Sequence, residues 1–200
     1  MEETRSMSLG SNPALTILLP GADTKFADSE WKEYMKAYGK VSKVKQSKEN
    51  VVADAQIVDI GGISKINIYN LNEDAGGGVK TVVWISMDTG YVNSTQYPTA
   101  YVAAVKFLKD YAFKVKLDMT TNDLQDQQKQ LTKFESNLSK LQKEKENLNK
   151  TIEDAKKKIA QAESDLIKNQ KDQDLSQKEI ENQKGVVNGV QKKLDQLKNQ

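Results

Sequence analysis

The chain has 200 residues, 30 of them basic and 28 acidic, for a net charge of +2, and it contains neither cysteine nor histidine. Disulfides, thiolate chemistry, zinc fingers and Ser-His-Asp triads are thereby excluded. A balanced charge with a single arginine, Arg5, argues against a dedicated nucleic-acid binder. No stretch approaches the 18 or so apolar residues that a membrane span requires.

From the N-terminus, "MEETRSMSLGSN" (1–12) lacks the apolar centre of a signal peptide and is expected to be a flexible tail. "ALTILLP" (14–20), closed by Pro20-Gly21, predicts a strand. "DTKFADSEWKEYMKAYG" (23–39) predicts a helix, with Asp23 or Thr24 as its cap and Gly39 as its stop. Ala27, Trp31, Tyr34 and Tyr38 share one face at helical spacing, which points them at a sheet. Four strands are then expected: "KVSKVKQ" (40–46), "NVVADAQIVDI" (50–60), "ISKINIYN" (63–70) and "VKTVVWISM" (79–87). Alternation sets Ile66 and Ile68 against Lys65, Asn67 and Tyr69. It likewise sets Thr81, Val83, Ile85 and Met87 against Val82 and Trp84.

A second helix starts near Pro98, a residue suited to a first helical position. Its stripe Val105, Leu108, Ala112, Val115 and Met119 would face the same sheet. The expected fold class is therefore α+β: a small antiparallel sheet domain in β-α-β4-α order, a TATA-binding-protein-like topology, followed by a long α-helical coiled coil. The topology carries no DNA-binding function with it.

Composition changes sharply after this helix begins. Twelve of the 13 aromatic residues lie at or before Phe113, and glycine is absent between Gly90 and Gly185. "DMTTND" (118–123), whose Thr, Asn and Asp could also kink the helix, is expected to be the boundary between an α+β domain at 13–118 and a coiled-coil helix at 119–200.

From Leu117 a heptad phase holds to the end of the chain. Position a is taken by Leu117, Leu124, Leu131, Leu138, Lys145, Ile152, Ile159, Leu166, Gln173, Ile180, Val187 and Leu194. Position d includes Phe134, Leu141, Leu148, Ala155, Ala162, Val190 and Leu197, with polar residues at the other d sites. Seventeen of the 24 core sites are apolar, over twelve heptads, against the three or four that identify a coiled coil. If continuous, the segment would be about 120 Å long.

The amide-rich stretch "LIKNQKDQDLSQKEI" (166–180) leaves two readings open. Its polar core sites Asn169, Gln173 and Ser176 could form the turn of a helical hairpin near 169–174. Alternatively they could be a soft patch in one helix. Leu166 and Ile180 are two whole heptads apart and neither glycine nor proline marks a turn, which favours the continuous helix. Self-pairing in parallel would place Lys158 opposite Glu163 and Glu179 opposite Lys184 of a partner. Lys145 at an a position disfavours higher oligomers. A parallel dimer is the favoured arrangement, with a trimer or the intramolecular hairpin as alternatives.

Candidate sites in the front half are sparse. "NEDAGGGVK" (72–80) lacks the spacing of a phosphate-binding loop and reads as a hairpin connection. Lys40, Lys43, Lys45 and Lys48 could contact an anionic surface, but a lysine-protected edge strand is the stronger reading. Asp54 and Asp59 fall on opposite strand faces and do not make an acid–base pair. Tyr69, Trp84, Tyr91 and Tyr97 could line a groove, although packing is favoured. No catalytic residue, cofactor or metal site is expected.

The elements "MSLGSNPAL", "LPGAD" and "WKEYMKAYGK", followed by a sheet domain and a Lys- and Gln-rich coiled coil, resemble an uncharacterised family of exported bacterial proteins. That resemblance covers essentially the whole chain and implies a location in the periplasm or cell envelope. It implies no activity and no binding residue. The leading expectation is a non-enzymatic structural or interaction protein whose coiled-coil stalk self-associates. A periplasmic holdase-type chaperone with helical arms is the first alternative, and a small-ligand- or peptide-binding α+β domain the second. A protein partner fits each of these; nucleic acid does not.

Overall fold

The computed structural model describes residues 1–198. The chain divides into two units, Met1–Lys129 and Gln130–Gln200. The first unit is an α+β domain. Its elements are β1 (Glu2–Met7), β2 (Gly10–Pro20), α1 (Thr24–Met35), β3 (Val41–Lys43), β4 (Asn50–Ala55), α2 (Val58–Gly61), β5 (Ile66–Asp74), β6 (Gly78–Met87), β7 (Gly90–Tyr91) and the first turns of α3, a helix that runs Pro98–Lys198. Seven antiparallel strands form one sheet in the order β1-β2-β6-β5-β4-β3, with β7 paired to β6.

Alternation along β5 and β6 falls as the sequence predicts. Ile66, Ile68, Val83 and Ile85 face the principal core, whereas Val82 and Trp84 join Ala14 in a second cluster on the other side. Helix α1 is capped by Asp23, whose carboxylate accepts the Phe26 N–H at 2.7 Å. It buries Ala27, Trp31 and Met35 on the sheet, with Tyr34 and Tyr38 half-covered. Gly39 follows at φ +156, and a Cβ there would come within 2.7 Å of Val52 Cγ1. A larger residue at this stop would have to displace the strand beneath it. Trp31 is the keystone of the layer: its ring meets Tyr111 of α3 edge-on at 5.0 Å. The Tyr111 hydroxyl donates to the Ala27 carbonyl at 3.0 Å. The two helices are thus joined by aromatic contact and by a buried hydrogen bond.

Four expectations are corrected. Residues 1–12 are not a tail: β1 pairs with β2 from Glu2↔Leu15 to Met7↔Gly10. Its polar residues look solvent-seeking in sequence, but Glu3 pairs with Lys80 and Arg5 with Glu73 across the sheet. Met7 packs against the Trp84 cluster. The turn after it is tied down by Glu49, a carboxylate only 5% exposed that accepts both the N–H and the Oγ–H of Ser8.

Next, "NVVADAQIVDI" does not run as one strand. The β4–β5 register slips between Val52 and Ala55, and Asp54 sits at φ +54. The chain then turns into α2, which buries Ile60, with Ile57 buried just ahead of it. Such a bulge breaks the period of two that a continuous strand needs. The third correction concerns "KVSKVKQ", of which only Val41–Lys43 is strand.

Finally, α3 runs unbroken through "DMTTND". Thr120 and Thr121 return their hydroxyls to the carbonyls of Lys116 and Leu117 four residues back, and Asp118 pairs with Lys114. These side chains thus make their hydrogen bonds within the helix. The first unit accordingly extends to Lys129, past the expected boundary at 118.

The second unit consists of α3 alone, helical at every described residue. The stretch 166–180 is therefore helix and not a turn. Its amides support it through i,i+4 bonds: Gln170 Nε2 donates to Asp174 at 3.0 Å and Gln173 Nε2 to Asn169 at 2.6 Å. Glu153 pairs with Lys156 at i,i+3 on the helix surface.

Candidate functional site

The most conspicuous surface of the molecule is the heptad row along α3. An α-helix with apolar residues alternately three and four positions apart presents them as a stripe that winds slowly around it, which a left-handed supercoil with another helix keeps on one side. In this chain that stripe is open. Leu117 is 53% exposed, Leu138 57%, Ile159 59% and Leu197 69%. Leu124, Leu131, Phe134, Leu141, Leu148, Ile152, Leu166, Ile180, Val187, Val190 and Leu194 are exposed as well, and so are Ala155 and Ala162. Single exposed leucines are ordinary on a protein surface, but a contiguous line of fifteen large ones is not. Ile167 and Leu175 are also exposed and lie off the stripe, at positions the heptad phase does not use.

The first turns of α3 behave differently. Ala100, Ala104, Phe107, Leu108, Tyr111 and Val115 are buried against the sheet and α1. Lys114 links the elements beneath, bonding Glu30 of α1 at 2.6 Å and Asp118 at 2.5 Å. Burial works against the charge on Lys114, but the two carboxylate bonds outweigh it and hold its pKa above the ordinary value. The same hydrogen bond holds the Asp118 carboxyl below its ordinary range.

The lysines at positions 40, 43, 45 and 48 are all exposed. Lys43 lies on β3, the last strand of the sheet path, where lysine discourages pairing with a foreign edge. Lys43 and Lys48 line a hollow together with Asp28, Glu73 and Asp74, so carboxylates offset their charge. Such a mixed surface is a poor seat for an anion. Of the four aromatic candidates, Trp84 is fully buried and Tyr69 and Tyr91 pack against it. Tyr97 is instead bonded to Thr89. The four make no common groove wall. The glycine-rich loop joins β5 to β6, closed by the Ala75 N–H on the Gly78 carbonyl at 2.9 Å.

Asp54 and Asp59 lie on different elements, at the β4 bulge and in α2. Among the described residues no group of three acidic side chains is placed to hold a metal ion, and no helix is long and apolar enough to cross a membrane. The strongly shifted side chains are tyrosines in the core. Burial pushes Tyr34 up to about 12, and burial raises Tyr111 as well. Both are structural, with hydroxyls spent on backbone carbonyls. Sequence reasoning did not find the Ser8–Glu49 tie or the Lys114 node, because both depend on pairings between elements distant along the chain.

No family model matches the chain, and neither a curated protein nor a solved structure matches it.

Proposed function

We propose that the protein is a non-enzymatic structural or interaction protein whose C-terminal helix pairs in parallel with the same helix of a second copy. The α+β domain is then carried at the N-terminal end of a coiled-coil stalk. One observation carries this reading: seventeen apolar core sites in a single heptad phase, exposed on the lone chain. Each buried leucine or isoleucine contributes roughly 1.5–3 kcal/mol relative to an exposed one. A second α3 supplies a matching stripe at every level, whereas the α+β domain has no comparable apolar length to offer.

Charge on the stripe's flanks supports the parallel sense. Lys158 meets Glu163 of the other copy and Glu179 meets Lys184, while Lys145 at a core position disfavours assemblies larger than two. The resemblance of the N-terminal elements to exported bacterial proteins supports placing this assembly in the cell envelope. A TATA-binding-protein-like arrangement remains the finer reading of the first domain, as topology without DNA binding.

The test uses two single-cysteine variants, Leu124→Cys and Leu194→Cys, in the cysteine-free chain. Oxidation is expected to link each variant to itself. A disulfide only when the two variants are mixed would mean antiparallel pairing and would overturn the proposal, as would the absence of any disulfide.

A further inference from the structure

The end of β5 runs past its neighbour. β4 joins β5 up to the pair Asn50↔Asn70, but β5 continues to Asp74. The chain ahead of Asn50 does not follow it. Residues 45–48 instead turn over from β3 in a hairpin closed by the Val44 N–H on the Glu49 carbonyl.

Pairing fixes which backbone groups are left over. Val44 and Glu49 form a hydrogen-bonded pair, so alternation along antiparallel strands turns the N–H and C=O of Asn50 and Val52 toward β5. Those of Asn70, Asn72 and Asp74 accordingly point toward the β4 side. Among the described residues no strand covers Asn72 and Asp74 there. Both line a hollow of about 530 Å3, together with Thr24 and Asp28 of α1 and with Lys43 and Lys48.

Charge is divided along this notch. Lys43 shares the Asn70 row of the sheet through Asn50. Asp74 lies four residues further along β5, or about 13 Å. The carboxylates are engaged within the fold: Glu73 by Arg5, Asp28 by the Asn72 amide and Asp74 by the Gly76 N–H. Lys43 rests on the Lys48 carbonyl at 3.3 Å, and both lysines are exposed.

A bare anion meets both signs of charge here, whereas an extended peptide can keep them apart. A segment added antiparallel to β5 runs in the direction of β4, so its C-terminal end arrives beside Lys43 and Lys48. The start of β4 occupies the continuation of that line, which favours a segment that ends there. The parallel sense would bring an ammonium group to the lysines.

We propose that this notch binds the free C-terminus of a partner protein as a short antiparallel strand on β5. Its backbone bonds to Asn72 and Asp74, and its terminal carboxylate meets Lys43 and Lys48. A basic side chain one or two residues before the terminus faces Glu73 and Asp74. Strand addition and capture of a carboxylate end are thereby combined in one site. The site belongs to the α+β domain alone and does not depend on the coiled-coil reading.

The probe is a library of decapeptides displayed with free C-termini, with synthetic copies of the selected sequences measured on the full-length protein. Selection is expected to enrich a basic residue near the terminus and to exclude proline from the last three positions. Amidating the terminus should weaken binding at least about tenfold, because charge-assisted hydrogen bonds are lost. Lys43→Gln with Lys48→Gln should weaken the carboxylate peptide as much and abolish the difference between the two forms. Both lysines are exposed, so the domain's unfolding midpoint should stay unchanged. Binding should slow amide exchange across residues 71–74 more than in β1 or β2.

Four results would overturn the proposal: no enriched peptide, equal binding of the amidated form, equal binding by the double lysine variant, or exchange protection confined to other strands.

Discussion

The first turns of α3 and its remaining length each carry an apolar stripe, and the two stripes end in opposite states. Between Ala100 and Val115 the apolar side chains are buried against the sheet and α1. From Leu117 to Leu197 side chains of the same kind stand exposed at heptad spacing. Their compositions differ, with Ala and aromatic residues in the first turns and Leu, Lys and Gln beyond, yet both are helix. Both stripes step by three and four, so spacing does not separate them; the presence of a cover does.

The covered region can be broken at its keystone. Trp31→Ala removes a fully buried ring that meets Tyr111 and Phe107 edge-on. It is expected to cost about 3–5 kcal/mol of the α+β domain's stability. Urea denaturation followed by near-ultraviolet circular dichroism measures this, and self-association through the distant stripe should survive it. The reverse experiment is Leu131→Asp with Leu138→Asp. Those charges on the open stripe should abolish dimer formation while leaving the domain's unfolding midpoint unchanged, as read by light scattering and denaturation together.

A smaller effect is expected where the N-terminal hairpin is tied down. Glu49→Ala leaves the Ser8 N–H and hydroxyl without their buried acceptor, at about 1–3 kcal/mol. Amide exchange in β1 should accelerate more than in β5.

The covered region also has a pH signature. Tyr34 is raised from 10.0 to about 12 by burial, with Tyr111 shifted the same way. A raised folded value means that the neutral hydroxyls stabilise the fold fully below pH 10, with the contribution lost as pH rises through about 12. The domain's denaturation midpoint should fall between about pH 9 and about pH 12. Tyr34→Phe should reduce that fall.

The mildest change belongs to the open region. Lys145→Leu places an apolar side chain in the stripe, and should raise thermal stability of the assembly by about 1 kcal/mol while admitting trimers. Sedimentation velocity reads both.

What sequence reading recovered follows from how local each signal is. Ile66 and Ile68, Val83 and Ile85 alternate within their own strands, and Asp23 caps its own helix. Pattern alone was enough for these. The hairpin of β1 was invisible because Glu3 and Arg5 look like a polar tail until Lys80 and Glu73 are brought beside them. The break in β4 depends on the left-handed turn at Asp54, a residue that tolerates such backbone only when its surroundings require it. Thr120 and Thr121 lie at the expected boundary, yet the helix runs on through them and both bond back into it. As for the candidate surfaces, the heptad stripe is a one-dimensional pattern and was fully legible.

Sedimentation equilibrium of the unaltered chain at micromolar concentration tests the central claim most directly. Pairing of α3 through its open stripe predicts a mass of twice the 22.4 kDa of the single chain. A single 22.4 kDa species, with the helix content of α3 retained, would contradict it.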